Sequence, residues 1–434
     1  MFDSSKTCEK LFRMDNSTAL IPIIILFILM AFHYIGSFFS KDQAAKWSPI
    51  SFFALYLAYY IFIPFFSDVN YFGKNMNIAS QYVNWGALIS YISFISGFKI
   101  KPGKLSLFSK SNSVFENDKR HYLKLSIIIF IIGFSFNAIF NGFKFSVVNS
   151  VHAGEFSDTA SYNHPTMYLT YLVSLFCLAS FFAYASDNKK SRLFLVGILL
   201  LSSIAFILEG FRFRLLILFI SFICFYYLYP TAKRVNYSVV IPLFILFYLA
   251  MGFIEMTRSY GQGLDIEKVY SINASEVQKG ASENQMVYEF SGLVMEAFDD
   301  NNERIYFTPL LTAVCMPIPR AIFPWKPDGY YLRYANLAVL GTITYGAAFL
   351  YFVEAYISFG WLGVIVISFL LGMLSRLFWE NYKRNFTSFG AIALLCSYNG
   401  ILYVIVSRGY MAQQLTQFVY YMIIPFWIAR YLKK

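Results

Sequence analysis

Apolar blocks recur along this chain at the length needed to cross a membrane, and that recurrence limits the fold more than any other feature. About 20 helical residues, at 1.5 Å of rise each, cross roughly 30 Å of hydrocarbon. One or two such blocks could hide inside a large soluble core, but about eleven could not. The 434 residues are 58% hydrophobic and 14% charged, whereas soluble domains carry roughly a quarter charged residues. The expected fold is an all-α polytopic integral membrane protein with about 11 transmembrane helices, within a range of about 10–12.

The expected spans are 18–39, 48–66, 80–98, 123–141, 165–186, 192–208, 213–230, 238–256, 361–378, 388–406 and 411–429. They divide the chain into an N-terminal bundle over 1–256, a large loop over 257–360 and C-terminal helices over 361–434. The first span follows Lys6, Lys10 and Arg13, but it is too long for a signal peptide and lacks a small-residue cleavage site.

The net charge of +11 would suggest nucleic acid in a soluble protein. Here the basic residues fill short connections between apolar blocks, where they set orientation, and no nucleic-acid partner is expected. Lys41 and Lys46, Lys189 to Arg192, Lys233 and Arg234, and Lys383 and Arg384 mark one set of alternate connections as cytoplasmic. The N-terminus and the segments 67–79, 142–164, 209–212, 257–360 and 407–410 then face outward. Five cysteines show no metal-ligand or disulfide spacing. Cys177, Cys224 and Cys396 lie in apolar blocks, where thiols act as small hydrophobes. Neither a metal nor another cofactor is expected.

The long outer loop has structure of its own. Met286, Phe290, Leu293, Val294 and Ala297 share a helical face, and Tyr306 to Met316 is apolar between prolines. Both read as amphipathic helices lying on the membrane surface. From Leu337 to Ile357 the chain is apolar again, broken by Gly341 and Gly346. A complete crossing there would place the basic 376–384 connection outside, so an interfacial or re-entrant segment is expected, enclosed by protein or water.

Arginines gather on the outward face. Arg212 and Arg214 lie in one turn, Arg258 follows Glu255, Arg320, Lys326 and Arg333 sit in the large loop, and Arg408 occupies the last outer turn. A single arginine at a helix end can simply reach the headgroup layer. A set of them on the side that normally avoids positive charge suits a phosphate, which the guanidinium fork binds through two hydrogen bonds. The run "PIPRAIFPWKP" adds four prolines that hold it extended or turned, with Phe323 and Trp325 available to stack on a sugar or to anchor at the interface.

The stretches "PIPRAIFPWKPDGYY", "EAYISFGWLGVIVISFLLGMLSR" and "SRGYMAQQL" resemble, in order and placement, Wzy-type O-antigen and oligosaccharide repeat-unit polymerases. The resemblance is clearest over 317–415, and "GFRFR" sits where related enzymes carry a basic turn. It implies a GT-C-like membrane glycosyltransferase in the bacterial inner membrane, with its active site facing the periplasm. The reaction would polymerise undecaprenyl-pyrophosphate-linked oligosaccharides, which serve as both donor and acceptor. Membrane lipid, a chain-length regulator and a flippase are the implied partners.

That chemistry agrees with the residues. Pyrophosphate departure builds negative charge that fixed arginines can stabilise, and an acceptor hydroxyl needs at most a general base. Glu354 is the first candidate for that base, Glu255 the second and Asp328 the third. Each can also be read as the ion-pair partner of an arginine. Two other functions compete. A flippase for lipid-linked glycans would carry charges deep within several spans, whereas polar residues here gather on one face. An O-antigen ligase has a similar layout but depends on a histidine in its large outer loop. His33, His121, His152 and His164 all lie outside 257–360.

Overall fold

The computed structural model describes residues 17–66, 71–101, 119–140, 173–208, 212–236, 283–301, 303–315, 322–325 and 348–431, with scattered positions between 238 and 339. Among these, twelve α-helices carry the fold, and the one β ladder pairs Arg258–Ser259 with Gly263–Leu264. The helices are α1 (Ser17–Phe39), α2 (Pro49–Phe65), α3 (Asn77–Lys99), α4 (Lys119–Phe140), α5 (Val173–Ala185), α6 (Lys189–Leu208) and α7 (Arg212–Leu228). After them come α8 (Glu283–Asp300), α9 (Thr308–Cys315), α10 (Tyr351–Arg384), α11 (Phe389–Ser407) and α12 (Met411–Tyr431). The expected span 238–256 lies mostly outside the described residues. Each of the other ten overlaps one of these helices, although 165–172 of the fifth lie outside the described residues.

Four of the helices are long and apolar enough to cross a membrane: Leu20–Phe39, Lys189–Ile207, Tyr351–Arg384 and Phe389–Ser407. α2, α4, α5 and α7 are apolar but shorter. α1 exposes Phe27, Phe32, Phe38 and Phe39 on its outward face, and α6 exposes Leu193, Leu200 and Ile204. Such faces suit lipid, because a solvent-facing helix would be polar there. α11 is the opposite case. It is buried along its whole length, with α7, α12 and α2 packed around it. The described residues are therefore almost wholly helical, as in a polytopic membrane protein, with a core built on α11 and α3.

α3 packs more extensively on α10 than on any other helix. A Cβ on Gly97 would collide with the Phe369 carbonyl, and one on Gly372 with the Phe94 carbonyl. The two bare positions let the backbones meet, which is how helices pack in lipid, where no hydrophobic force separates helix from solvent.

α10 is two helices joined at a reversal. Phe359 and Gly360 leave helical geometry, and Gly360 takes φ +62° and ψ −151°, a region open essentially to glycine alone. Tyr351 Oη lies 2.8 Å from Ser368 Oγ, so the short half folds back along the long one. All residues from Tyr351 to Ser358 are buried in protein.

α8 departs from the surface helix expected from its apolar face. It crosses the first turns of α3, where Tyr288 Oη donates to Asn84 Oδ1 at 2.9 Å, and Gly292 sits against the Ala79 carbonyl. α2, α3 and α10 together cover it, so Asn284, Gln285, Glu289 and Ser291 are buried beside the apolar residues. Asn284, Glu289 and Ser291 find partners on neighbouring elements, which the helix's own periodicity does not report. α9 forms in the second stretch, burying Pro309, Thr312 and Ala313 while exposing the apolar Leu310, Leu311 and Val314.

Candidate functional site

At one end of the bundle, α2 and α11 finish while α7, α8 and α12 begin. The aromatic residues there join through polar tips. Tyr60 and Tyr403 share a 2.7 Å hydroxyl contact, and Tyr56 Oη donates to the Asn399 carbonyl at 2.8 Å. Asn284 Nδ2 donates to the Tyr59 carbonyl at 3.1 Å and so fixes the start of α8 to α2.

Two of the sequence-predicted arginines meet at this end. Arg214, in the first turn of α7, is buried, and its guanidinium carbon lies 5.8 Å from the Phe213 ring centroid. Arg408 ends α11, and its guanidinium lies 5.8 Å from the same ring. Both distances are within the range of cation–π attraction. Arg408 Nη2 also pairs with Glu283 Oε1 at 3.2 Å, with side chains only 29% and 12% exposed. Ion pairs this sheltered contribute little net stability, because desolvation offsets the attraction. What they provide is a fixed cation in a region of low dielectric.

The turn carrying Arg408 is held on three sides. Gly409 N donates to the Phe349 carbonyl at 2.6 Å, and Met411 N to Glu354 Oε2 at 2.6 Å. Gln414 Nε2 reaches the Ile405 carbonyl at 2.8 Å. Glu354, buried in the short half of α10, thus sits at the N-terminus of α12, where unpaired N–H groups favour a carboxylate. Arg214, Arg408 and Glu354 are brought to one region by helices far apart in the chain.

The other expected residues stand differently. Arg212 begins α7 and Arg258 lies in the first strand of the ladder, both known by backbone position. Trp325 is 79% exposed, its ring edge-on to Phe323 at 5.7 Å. Glu255, Arg320, Lys326, Asp328 and Arg333 lie outside the described residues.

Glu283 and Glu289 escaped the sequence reading. Glu289 is buried and accepts from Tyr71 N at 2.9 Å, Phe72 N at 3.1 Å and Gln285 Nε2 at 2.7 Å. It ties the connection after α2 to α8, and Lys74 in that connection bonds the Val339 carbonyl. The available signal was the Glu283, Gln285 and Glu289 grouping near the start of a helix with an apolar face. Among the described residues, no group of three or more His, Cys, Asp or Glu could hold a metal ion.

Chemically, the region offers two permanently charged guanidinium groups around one aromatic ring, with a carboxylate holding one of them. Guanidinium groups so placed suit a phosphate, which their planar fork can meet with paired hydrogen bonds.

The O-antigen polymerases of Salmonella typhimurium and Salmonella typhi are each 23% identical to this chain over 335 residues, covering 74% of it and 75% of their own length. No solved structure matches. The profile of the O-antigen polysaccharide polymerase Wzy family matches residues 17–434, nearly the whole chain, which therefore belongs to that family.

Proposed function

We propose that this protein joins undecaprenyl-pyrophosphate-linked oligosaccharide repeat units on the periplasmic face of the bacterial inner membrane. The bond between the donor's anomeric carbon and the pyrophosphate oxygen breaks, and the acceptor hydroxyl oxygen bonds to that carbon. The hydroxyl proton passes to a carboxylate, and undecaprenyl pyrophosphate leaves. Arg214 and Arg408 neutralise the departing charge in a sheltered site, where fixed cations act most strongly. Arg212, Arg258, Arg320, Lys326 and Arg333 extend the basic surface along the lipid-linked glycan, with Trp325 beside them. Glu354, next to the arginine turn, ranks ahead of Glu255 and Asp328 as the base.

In this reading about eleven helices span the membrane in a GT-C-like bundle, with the loop 257–360 and the arginine end facing the periplasm. A flippase supplies the units, and a chain-length regulator sets when growth stops. The observation that carries the reading is the meeting of Arg214 and Arg408 around Phe213, with Glu283 against Arg408.

The test uses a deletion strain complemented with Arg214→Ala, Arg320→Ala or Arg408→Ala, and its lipopolysaccharide separated on a gel. The expected product is a single repeat unit on lipid A core, with normal amounts of protein in the membrane. A flippase or ligase defect would leave the core bare. A full ladder from any variant removes that arginine from the site.

A further inference from the structure

A second polar centre lies at the opposite end of α8, where α10 reverses. Asp299 accepts hydrogen bonds from Tyr82 Oη at 2.6 Å, Tyr356 Oη at 3.1 Å and Arg304 Nη2 at 2.7 Å. Tyr82 and Trp361, both partly exposed, lie nearly parallel, with centroids 6.3 Å apart and planes 13° apart. Tyr356 meets Trp361 edge-on at 4.7 Å, and the Arg304 guanidinium lies 5.3 Å from the Tyr356 ring.

This cluster differs from the purely structural pins elsewhere in the fold. Glu289 accepts as many hydrogen bonds, but it is buried. The Asp299 and Arg304 side chains remain 36% and 23% exposed. Next to them, Tyr306, Phe307 and Phe359 form an exposed aromatic group at the tip of the reversal. A half-open carboxylate and guanidinium beside an aromatic shelf are what a neutral sugar requires. Sugar hydroxyls donate to the carboxylate and accept from the guanidinium, while the C–H face lies on a ring.

We infer that Asp299, Arg304, Tyr82 and Trp361 form a glycan-binding site, separate from the arginine turn, that holds sugars of the repeat unit. The inference rests on the proposed polymerase reading. α8 carries Glu283, which pairs with Arg408, at one end and Asp299 at the other. Sixteen residues of helix separate the two by about 24 Å, a distance that an oligosaccharide of several sugars spans. The arginine turn then takes the pyrophosphate while the tip of α10 takes sugar.

The experiment uses full-length protein in detergent and the strain's own repeat unit, released from its lipid carrier, as the probe. Isothermal titration calorimetry should show binding to the wild type. Asp299→Asn and Trp361→Phe should each bind about tenfold more weakly, the loss expected from removing one hydrogen bond to a charged group or one ring contact. Both variants should elute as wild type does on size exclusion near neutral pH, so that the weaker binding is read on folded protein. Arg408→Ala should bind the free glycan yet make no ladder. A ladder from Arg408→Ala would sink the arginine reading alone. Wild-type protein that ignores the probe, or Asp299→Asn that binds it normally, would overturn the glycan site and leave the polymerase assignment standing.

Discussion

Gly409 donates its backbone N–H to the Phe349 carbonyl at 2.6 Å, and the Phe349 ring fills the space that a Gly409 side chain would need. This contact locks the turn holding Arg408 onto the chain that leads into α10. The Arg-Gly pair in the last turn therefore has two distinct parts, a cation and a bare position that lets it be seated. A Cβ at Gly409 would also come within 2.8 Å of the Leu350 carbonyl, which is backbone and cannot rotate away.

Gly409→Ala should cost about 1–3 kcal/mol, as overpacking a close contact does, and should shift Arg408 away from Glu283. Chain growth should fall sharply on the lipopolysaccharide gel while Arg408 itself is intact. Adding Phe349→Leu, which opens the space, should restore part of the ladder. If Gly409→Ala alone grows full-length chains, the seating argument is wrong.

Glu289 gives a second prediction. Replacing it with Ala removes the acceptor for the part-buried Tyr71 and Phe72 N–H groups and for the buried Gln285 amide. Leaving buried donors unpaired costs about 1–3 kcal/mol each. The connection carrying Lys74 should then exchange its amide hydrogens faster, while the core of α11 stays protected. Uniform loosening of the whole protein would instead mean that Glu289 supports the fold globally. Glu289→Gln keeps one acceptor oxygen and should fall between the two.

The helices were legible from the sequence, and the meeting of their ends was not. Block length and hydropathy place α1 to α7, α11 and α12 because crossing a bilayer is a local requirement. The placement of Arg214 beside Arg408 depends on α7 packing along α11, which no local pattern encodes. The apolar face of α8 was visible, yet its burial on all sides was hidden, because Glu289 is satisfied by backbone groups more than two hundred residues earlier. The reversal in α10 had one visible sign, Gly360. A glycine alone does not distinguish a loop end from a fold-back, since it is permissive in both.

Gly360→Ala tests that reversal. The φ of +62° with ψ of −151° should cost an alanine about 1–3 kcal/mol, although nothing stands within 4 Å of the new Cβ. The penalty is therefore backbone strain alone, and no neighbouring cavity mutation should relieve it. A lower melting temperature that a second-site Phe359→Ala does not restore is the expected outcome. Rescue by Phe359→Ala would point to a steric cause instead.

Asp299 makes the stability of this end depend on acid. Burial opposes its ionisation, but hydrogen bonds from Tyr82, Arg304 and Tyr356 and the Arg304 charge outweigh burial and hold its pKa below the usual value of 3.8. A carboxyl with a depressed pKa stabilises the folded state above its unfolded value, and that stabilisation is lost as pH falls through the folded one. Glu296, one turn earlier, runs the other way. Burial and the neighbouring Asp300 push its pKa up against the pull of Lys74, so protonating it favours the fold. The two effects separate by mutation. In detergent near neutral pH, Asp299→Asn should melt below wild type, and the gap between the two curves should close below about pH 4. Tyr82→Phe removes one donor, which raises the Asp299 pKa and should move that closure to higher pH. Melting curves that stay parallel from neutral pH down to acid would show that the Asp299 carboxylate contributes nothing to holding the tip of α10.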